Sequence, residues 1–334
     1  MDHTSPSFRE LTTFRVGGDI RAVQRVRTSD KLFKTIRHLD EAGEQVVILG
    51  GGSNVLPSDE YFNGTVVVVA TDGITYEEKE GSVHVVVEAG VPWDSLVRDT
   101  ISKNYWGLEN LSGIPGSVGA APIQNIGAYG AQVSETILWV EVYDRTLKEI
   151  KKLSKDELDF GYRTSVFKKN PNRYVVIRVA FVLEKNGTPR ISYKDLTQYF
   201  EHHSHPTLND VREAVLSIRT KKFPDLNEVG TAGSFFMNPV VTHTEAERLA
   251  VAHSGLPQYP DQRGVKLSLA WILDHVVHAK GLKVGGAFVW DAQPLVIATE
   301  RGATANDVRA LAALVQEKVF AHTALHIVPE VNFL

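Results

Sequence analysis

The sequence predicts an α+β protein of more than one domain, and three observations carry that prediction. Short runs of β-branched residues alternate with stretches that repeat apolar residues at helical spacing. Glycine-rich segments punctuate these elements in the first half of the chain. A length of 334 residues, 43% of them apolar and 23% charged, is enough for two or three domains with cores of their own.

Taken in order, Leu32, Phe33, Ile36 and Leu39 recur at helical spacing after Thr28 and Ser29, with Gly43 to close the helix, and residues 46–49 follow as a short buried strand. The chain therefore opens as a small α/β unit. Residues 65–70 and 83–89 are β-branched runs, and Pro92 starts a helix whose apolar face holds Trp93, Leu96, Val97, Thr100 and Ile101, so this second region reads as α+β. Residues 137–143 and 174–183 are predicted strands on either side of residues 158–167. A helix over 209–221 presents Val211, Val215 and Ile218 before Phe223-Pro224-Asp225 breaks it. Beyond lies a separate α/β domain with helices over 244–254, 268–278 and 306–320, the second carrying Leu269, Ile272, Leu273, Val276 and Val277 on one stripe. Residues 325–334 alternate as a strand in which Ile327, Val331 and Phe333 share one face, which turns Glu330 to the other, toward a cleft or toward solvent.

Composition removes several classes of function. The 36 basic and 40 acidic residues leave a net charge of −4, and no run of lysine or arginine exceeds a dipeptide, so nucleic acid is not expected as a partner. No stretch approaches eighteen consecutive apolar residues, and MDHTSPSFRE lacks the apolar core of a secretory signal, so a cytoplasmic protein without membrane insertion is expected. The absence of cysteine excludes disulfides, thiolate nucleophiles and iron–sulfur clusters. Any acid, base or nucleophile must come from other side chains.

Two segments look built for a ligand. Gly50-Gly51-Gly52-Ser53-Asn54 follows a predicted strand directly, but the third glycine of a dinucleotide fingerprint is missing and Pro57 with acidic residues stands where an apolar helix should begin. A nest of N–H groups gripping phosphate fits better than a Rossmann turn. Residues 107–130 combine glycine with Ile, Val, Ala and Pro and carry Glu109 as their one carboxylate, unlike a solvated linker. Glycine here either lets a flat or anionic ligand approach the backbone or winds a tight structural loop. Two such segments together suggest one dinucleotide.

Three further positions carry possible chemistry. Arg163, among turn residues in Gly161-Tyr162-Arg163-Thr164-Ser165, has a planar fork suited to a carboxylate or enolate, or to a structural ion pair. Ser234, in a small-residue turn before Phe235 and Phe236, lacks a nucleophile elbow and reads as a proton-donating hydroxyl or an ordinary turn serine. The run Glu201-His202-His203-Ser204-His205 is too crowded for a single ion, so no metal is expected there.

In order along the chain, GGGSN, GIPGSVGAAPIQNIGAYG, GYRTSVFK, GTAGSFFMNP and the terminal PEV resemble the motifs of the UDP-N-acetylenolpyruvoylglucosamine reductase family, and the likeness spans nearly the whole chain. The resemblance implies a two-subdomain FAD-binding fold of the vanillyl-alcohol-oxidase type plus a C-terminal α/β substrate-binding domain. The expected boundaries are 1–70 and 71–222 for the two FAD subdomains and 223–325 for the substrate domain, with a strand within 326–334 packing back on the first. Residues 191–195 resemble the longer branch of the family, in which a tyrosine loop closes over the sugar nucleotide.

Carried over residue by residue, the resemblance assigns FAD to Gly50, Gly51, Gly52, Ser53 and Asn54 in the first segment. In the second it assigns Ser112, Gly113, Ile114, Pro115, Gly116, Gly119 and Ala120, then Gln124, Asn125, Gly127, Ala128 and Tyr129, with backbone N–H groups as main donors. The implied reaction is NADPH-dependent reduction of UDP-N-acetylglucosamine enolpyruvate to UDP-N-acetylmuramate in bacterial wall synthesis, with hydride passed from flavin N5. Ser234 would supply the proton, while Arg163 and Glu330 stabilise the enolate. Tyr162, Tyr193, Lys222, Asn238, Tyr259, Lys280 and Gln293 match positions of substrate and NADPH contacts. Two positions depart from the pattern: Met237 stands where many members have lysine, and Asn332 where arginine usually follows Glu-Val. A monomer is expected. The other readings are an FAD-dependent oxidase acting on another alcohol or sugar, and a silent nucleotide-sugar or flavin binder.

Overall fold

The computed structural model describes residues 5–203 and 205–334; the first four residues of the N-terminal segment and Ser204 of the histidine run lie outside the described residues. The chain divides into two compact units, one of residues 20–52 and 63–219 and the other of residues up to 19, 53–62 and 220–334.

The first unit begins with strand Ile20–Val26, helix Ser29–Glu41 and strand Val46–Leu49. Thr28 caps that helix by accepting the Lys31 N–H, and Leu32, Ile36 and Leu39 form its buried stripe. Val46–Leu49 pairs in parallel with strand Phe62–Val69, which is central in a three-stranded sheet. Each of these residues from Thr65 to Val69 is buried, as parallel strands covered on both faces must be. A five-stranded antiparallel sheet follows, ordered Glu149–Ser154, Ile137–Asp144, Tyr174–Glu184, Ser82–Glu88 and Ile74–Glu78. Ser82–Glu88 alternates between buried and half-buried residues. Helix Trp93–Ser102 buries the five residues predicted for its apolar face. Both sheets and both helices share one core, while helix Leu208–Lys222 packs Val211, Val215 and Ile218 against Tyr129, Leu196 and Phe200.

The second unit is built around strands Gly230–Ser234, Val296–Thr299, Ala287–Val289 and Lys283–Val284, paired antiparallel in that order. A second sheet sets Val240–Val241 and Gln258–Asp261 on either side of Gly264–Leu267. Helix Ala305–Thr323 starts at a capping box between Thr304 and Asp307 and lays Val308, Leu311, Val315 and Val319 into the core. Among the described residues no helix is long and apolar enough to cross a membrane.

Three expectations change here. The predicted helix over 268–278 is one α-turn, Leu269–Trp271, running into the π-helix Ile272–Val276, because an extra residue is accommodated in the turn. Ser234 closes the strand Gly230–Ser234 ahead of the aromatic pair instead of lying in a turn. The terminal run is not one strand: Asn332–Phe333 pairs in parallel with Val55–Leu56, Pro329 forms only an isolated bridge with Phe236, and while Ile327 and Val331 are buried, Phe333 is 45% exposed.

Candidate functional site

In the first unit the two glycine-rich segments meet. A Cβ built on Gly51 would lie 2.8 Å from Cα of Gly116, and one on Gly50 only 2.1 Å from Oγ of Ser117. The strand ending at Leu49 thus delivers a loop that lies against residues 116–117 with no room for a side chain between them. Positive φ at Gly52 (+62°), Gly113 (+69°) and Gly116 (+121°) winds the chain tightly at these contacts.

Part of the second segment is occupied with its own winding. The Gly113 N–H donates to the Asp94 carboxylate at 2.6 Å, Gly119 to the Ala89 carbonyl at 2.8 Å, and Ala120 to the Ser117 carbonyl at 3.0 Å. Ser112 is fully buried and donates its hydroxyl to the Glu109 carbonyl. Ile114 packs on the core. Glu109 is itself buried, which pushes its carboxyl above the usual range, although the Gly107 N–H opposes the shift. Asp94 also takes both terminal nitrogens of Arg212 at 2.7 Å, so one carboxylate ties the glycine loop to helix Leu208–Lys222. Sequence reasoning missed Asp94, since it reads as an ordinary first-turn carboxylate of its helix.

The 161–168 motif is stapled to the same segment. Arg163 Nη2 donates to the Gly127 carbonyl at 2.7 Å, Ser165 Oγ to the Ile123 carbonyl at 2.6 Å, and Asn125 Nδ2 to the Gly161 carbonyl at 3.1 Å. Arg163 itself sits at φ +53°, with its guanidinium 5.5 Å from the Tyr162 ring centre. The Asn125 side chain serves the fold, since it also bonds Gln132 Oε1 and the Ser134 N–H. Gly127–Ala128 and Ala131–Gln132 form a hairpin whose two turn residues, Tyr129 and Gly130, both have positive φ. A tyrosine rarely takes that conformation. Here burial holds it and pushes its hydroxyl up to about 12, while its ring meets the half-exposed Tyr193 ring edge-on at 5.5 Å.

In the second unit Ser234 and Glu330 lie on adjacent paired segments. The Glu330 N–H donates to the carbonyl of Phe235 at 2.7 Å, Met237 donates to Val328 at 3.0 Å, and Phe236 bridges Pro329. Glu330 is 9% exposed, so of the two directions open to it in the sequence it does not take solvent. Asn54 Nδ2 donates to its carbonyl at 3.4 Å, and the Asn332 N–H donates to the Asn54 carbonyl at 3.0 Å, which brings GGGSN's last residue to the terminal motif. The remaining positions are more dispersed. Asn238 Oδ1 accepts the Leu269 N–H, Tyr259 stands directly opposite Lys266, and Lys280 pairs with Asp274 at 2.8 Å. Gln293 lies in the turn before strand Val296–Thr299, and Lys222 ends its helix. His203 lies 3.8 Å from Asp210, and among the described residues no group of three potential metal ligands is assembled.

Residues 20–150 match a family described as an FAD binding domain, and residues 225–334 match the C-terminal domain of UDP-N-acetylenolpyruvoylglucosamine reductase. The first match contains both glycine segments and the second contains Ser234 and Glu330, whereas Arg163 lies in neither. The chain is 38% identical over 328 residues to a UDP-N-acetylenolpyruvoylglucosamine reductase of Neisseria meningitidis serogroup B, covering 96% of this chain and 94% of that one. It is 41% identical over 337 residues to the reductase of the same name from Nocardia farcinica, covering 96% and 86%. Its fold is similar to the crystal structure of that reductase from Thermus caldophilus, with a TM-score of 0.69 at 24% identity over 98% of this chain and 97% of the other.

Proposed function

Because the chain belongs to the UDP-N-acetylenolpyruvoylglucosamine reductase family, a family of FAD-binding oxidoreductases, we propose that it reduces UDP-N-acetylglucosamine enolpyruvate to UDP-N-acetylmuramate with NADPH. The observation that carries this most directly is the pairing of residues 235–237, which follow Ser234 directly, with residues 328–330, which brings a hydroxyl and a carboxyl onto neighbouring segments of one unit.

The fit to FAD rests on the cradle in the first unit, where Gly50 and Gly51 meet residues 116–117 at distances only glycine permits. Residues 50–54 and 112–129 would hold the cofactor, the backbone of the first segment and of Gly116 lying nearest that approach. When bound, FAD supplies two-electron transfer between NADPH and the enolpyruvyl double bond. The chain's own residues handle charge and protons. Arg163 opposes the negative charge that spreads into the substrate carboxylate, and Glu330 adds a hydrogen bond there. Ser234 then protonates the carbon that bears the ether oxygen. So weak an acid suffices because an enolate carbon is strongly basic. Lys222 and Lys280 bring charge to the diphosphate, while Tyr162, Tyr193, Asn238, Tyr259 and Gln293 contact the nucleotide ligands. A cytoplasmic place in wall-precursor synthesis follows from the substrate.

The test is the visible spectrum of the purified protein under anaerobic conditions. NADPH should bleach the flavin band near about 450 nm, and UDP-N-acetylglucosamine enolpyruvate should restore it. Bleaching without recovery, or a protein that takes up no FAD, would overturn the proposal.

A further inference from the structure

We propose that Thr231 is a positioning residue for Ser234, its buried hydroxyl fixing the β-bulge that turns Ser234 onto its working face. The inference rests on the proton-donor role proposed for Ser234. Strand Gly230–Ser234 pairs with strand Val296–Thr299 so that Thr231 stands opposite Ala298 and Ser234 opposite Val296. Two residues, Ala232 and Gly233, are therefore set against the single Ile297. Directly opposed residues point to the same side of a sheet, and Ala298 and Val296 are two apart. Thr231 and Ser234 consequently share a face, although three steps separate them in sequence. In a regular strand that spacing would put Ser234 on the opposite face.

The extra residue is absorbed at Gly233, which has φ +76° and open space where a Cβ would stand. Thr231 holds this turn from both sides. Its Oγ1 donates to the Ile297 carbonyl at 2.7 Å and accepts the Gly233 N–H at 3.2 Å, so one hydroxyl ties the bulged glycine to the residue it bulges over. The Thr231 main chain is fixed as well: its N–H donates to the Thr13 carbonyl at 2.9 Å, and its own carbonyl accepts the Thr13 hydroxyl at 2.6 Å. Thr231 is 4% exposed, whereas Ser234 is only half-buried. A group this enclosed acts on the reaction through the backbone and not by touching a ligand.

Thr231→Val keeps the shape and removes the hydroxyl. Its FAD content and its rate of reduction by NADPH should match wild type. Reoxidation by the enolpyruvyl substrate should slow by about tenfold or more, the usual consequence of a reacting group displaced by a fraction of an ångström. KM should hardly move, and the solvent deuterium isotope effect on reoxidation should grow. Thr231→Ser restores the hydroxyl and should recover most of the rate. Gly233→Ala strains the same turn without a clash and should reproduce the selective loss if the valine variant does not fold. Wild-type reoxidation in Thr231→Val or Gly233→Ala, beside a slow Ser234→Ala, overturns the role of Thr231 alone. Wild-type reoxidation in Ser234→Ala overturns the proton-donor reading itself. An equal slowing of both half-reactions, without rescue by serine, reduces Thr231 to a structural residue and also overturns the inference.

Discussion

Gly51→Ala tests the cradle at its tightest point. The backbone of Gly51 does not require positive φ, so alanine is excluded there by space and not by conformation. The new methyl would stand 2.8 Å from Cα, 3.2 Å from the carbonyl carbon and 3.5 Å from the nitrogen of Gly116, all main-chain atoms that no rotamer change can move aside. Restoring an ordinary contact of 3.4 Å parts the two loops by about 0.6 Å, and overpacking of this kind costs about 1–3 kcal/mol. If FAD binds the closed arrangement, its Kd should rise by about 5- to 150-fold. The assay is titration of the apoprotein with FAD, followed by flavin fluorescence, with urea unfolding of the apoprotein alongside. A lower unfolding midpoint with an unchanged Kd would place the strain in the fold and remove this approach from cofactor binding. A Kd within twofold of wild type, together with an unchanged midpoint, would refute the steric argument altogether.

Other consequences follow from the same geometry. Ser234→Ala should leave reduction by NADPH intact and slow reoxidation by the enolpyruvyl substrate by at least about 100-fold, read by stopped-flow absorbance; equal loss of both steps would remove Ser234 as proton donor. Glu330→Gln keeps a hydrogen-bond donor and should slow the same step more mildly, and wild-type turnover would take Glu330 out of the mechanism. Asp144 is fully buried, and burial alone would raise its carboxyl; Arg173, the Leu147 N–H, Lys151 and the Thr146 N–H outweigh that and hold it at about 2, against an ordinary 3.8. A depressed pKa stabilises the fold above the unfolded value and loses its effect as pH falls, so about 2 kcal/mol of stability should disappear between pH 4 and about 2. In Asp144→Asn that part of the urea-midpoint profile should flatten; an unchanged slope would refute the assignment. Met237→Lys restores a charge the family pattern has at this position and should lower the KM of an anionic ligand several-fold at low salt, an effect that added salt should erase.

Helix Trp93–Ser102 and the three inner strands of the five-stranded sheet were legible in the sequence because burial on one face imposes a period that composition records directly, whereas the mostly exposed edge strands Ile74–Glu78 and Glu149–Ser154 carry no such period. The terminal motif was legible only in part. Ile327 and Val331 are buried as their spacing suggests, but alternation marks any extended chain packed on one side, and it cannot tell a strand from a segment whose N–H groups find partners singly, as Glu330 does at Phe235. The glycine segments announced a close approach without saying to what. Half of the answer is that Gly50 and Gly51 approach residues 116–117, over sixty residues away, a tertiary fact with no local signature. The bulge at Gly233 was hidden for a related reason: an extra residue is visible only against the partner strand it fails to match.

The assembly of the second unit also dictates an order of events during synthesis. Residues 53–62 emerge early, yet Val55 pairs with Asn332 and Leu56 with Phe333, and Thr13 closes onto Thr231. Residues 20–52 and 63–219, by contrast, form a compact unit of their own. A nascent chain can therefore complete the glycine cradle while the segment carrying Ser234 is still being made, and Val55–Leu56 must wait as an unpaired edge until residue 333 has emerged. Ser234 and Glu330 are among the last parts to be set in place, so an interrupted chain ends with the glycine cradle formed and the segments that carry these two residues still unpaired.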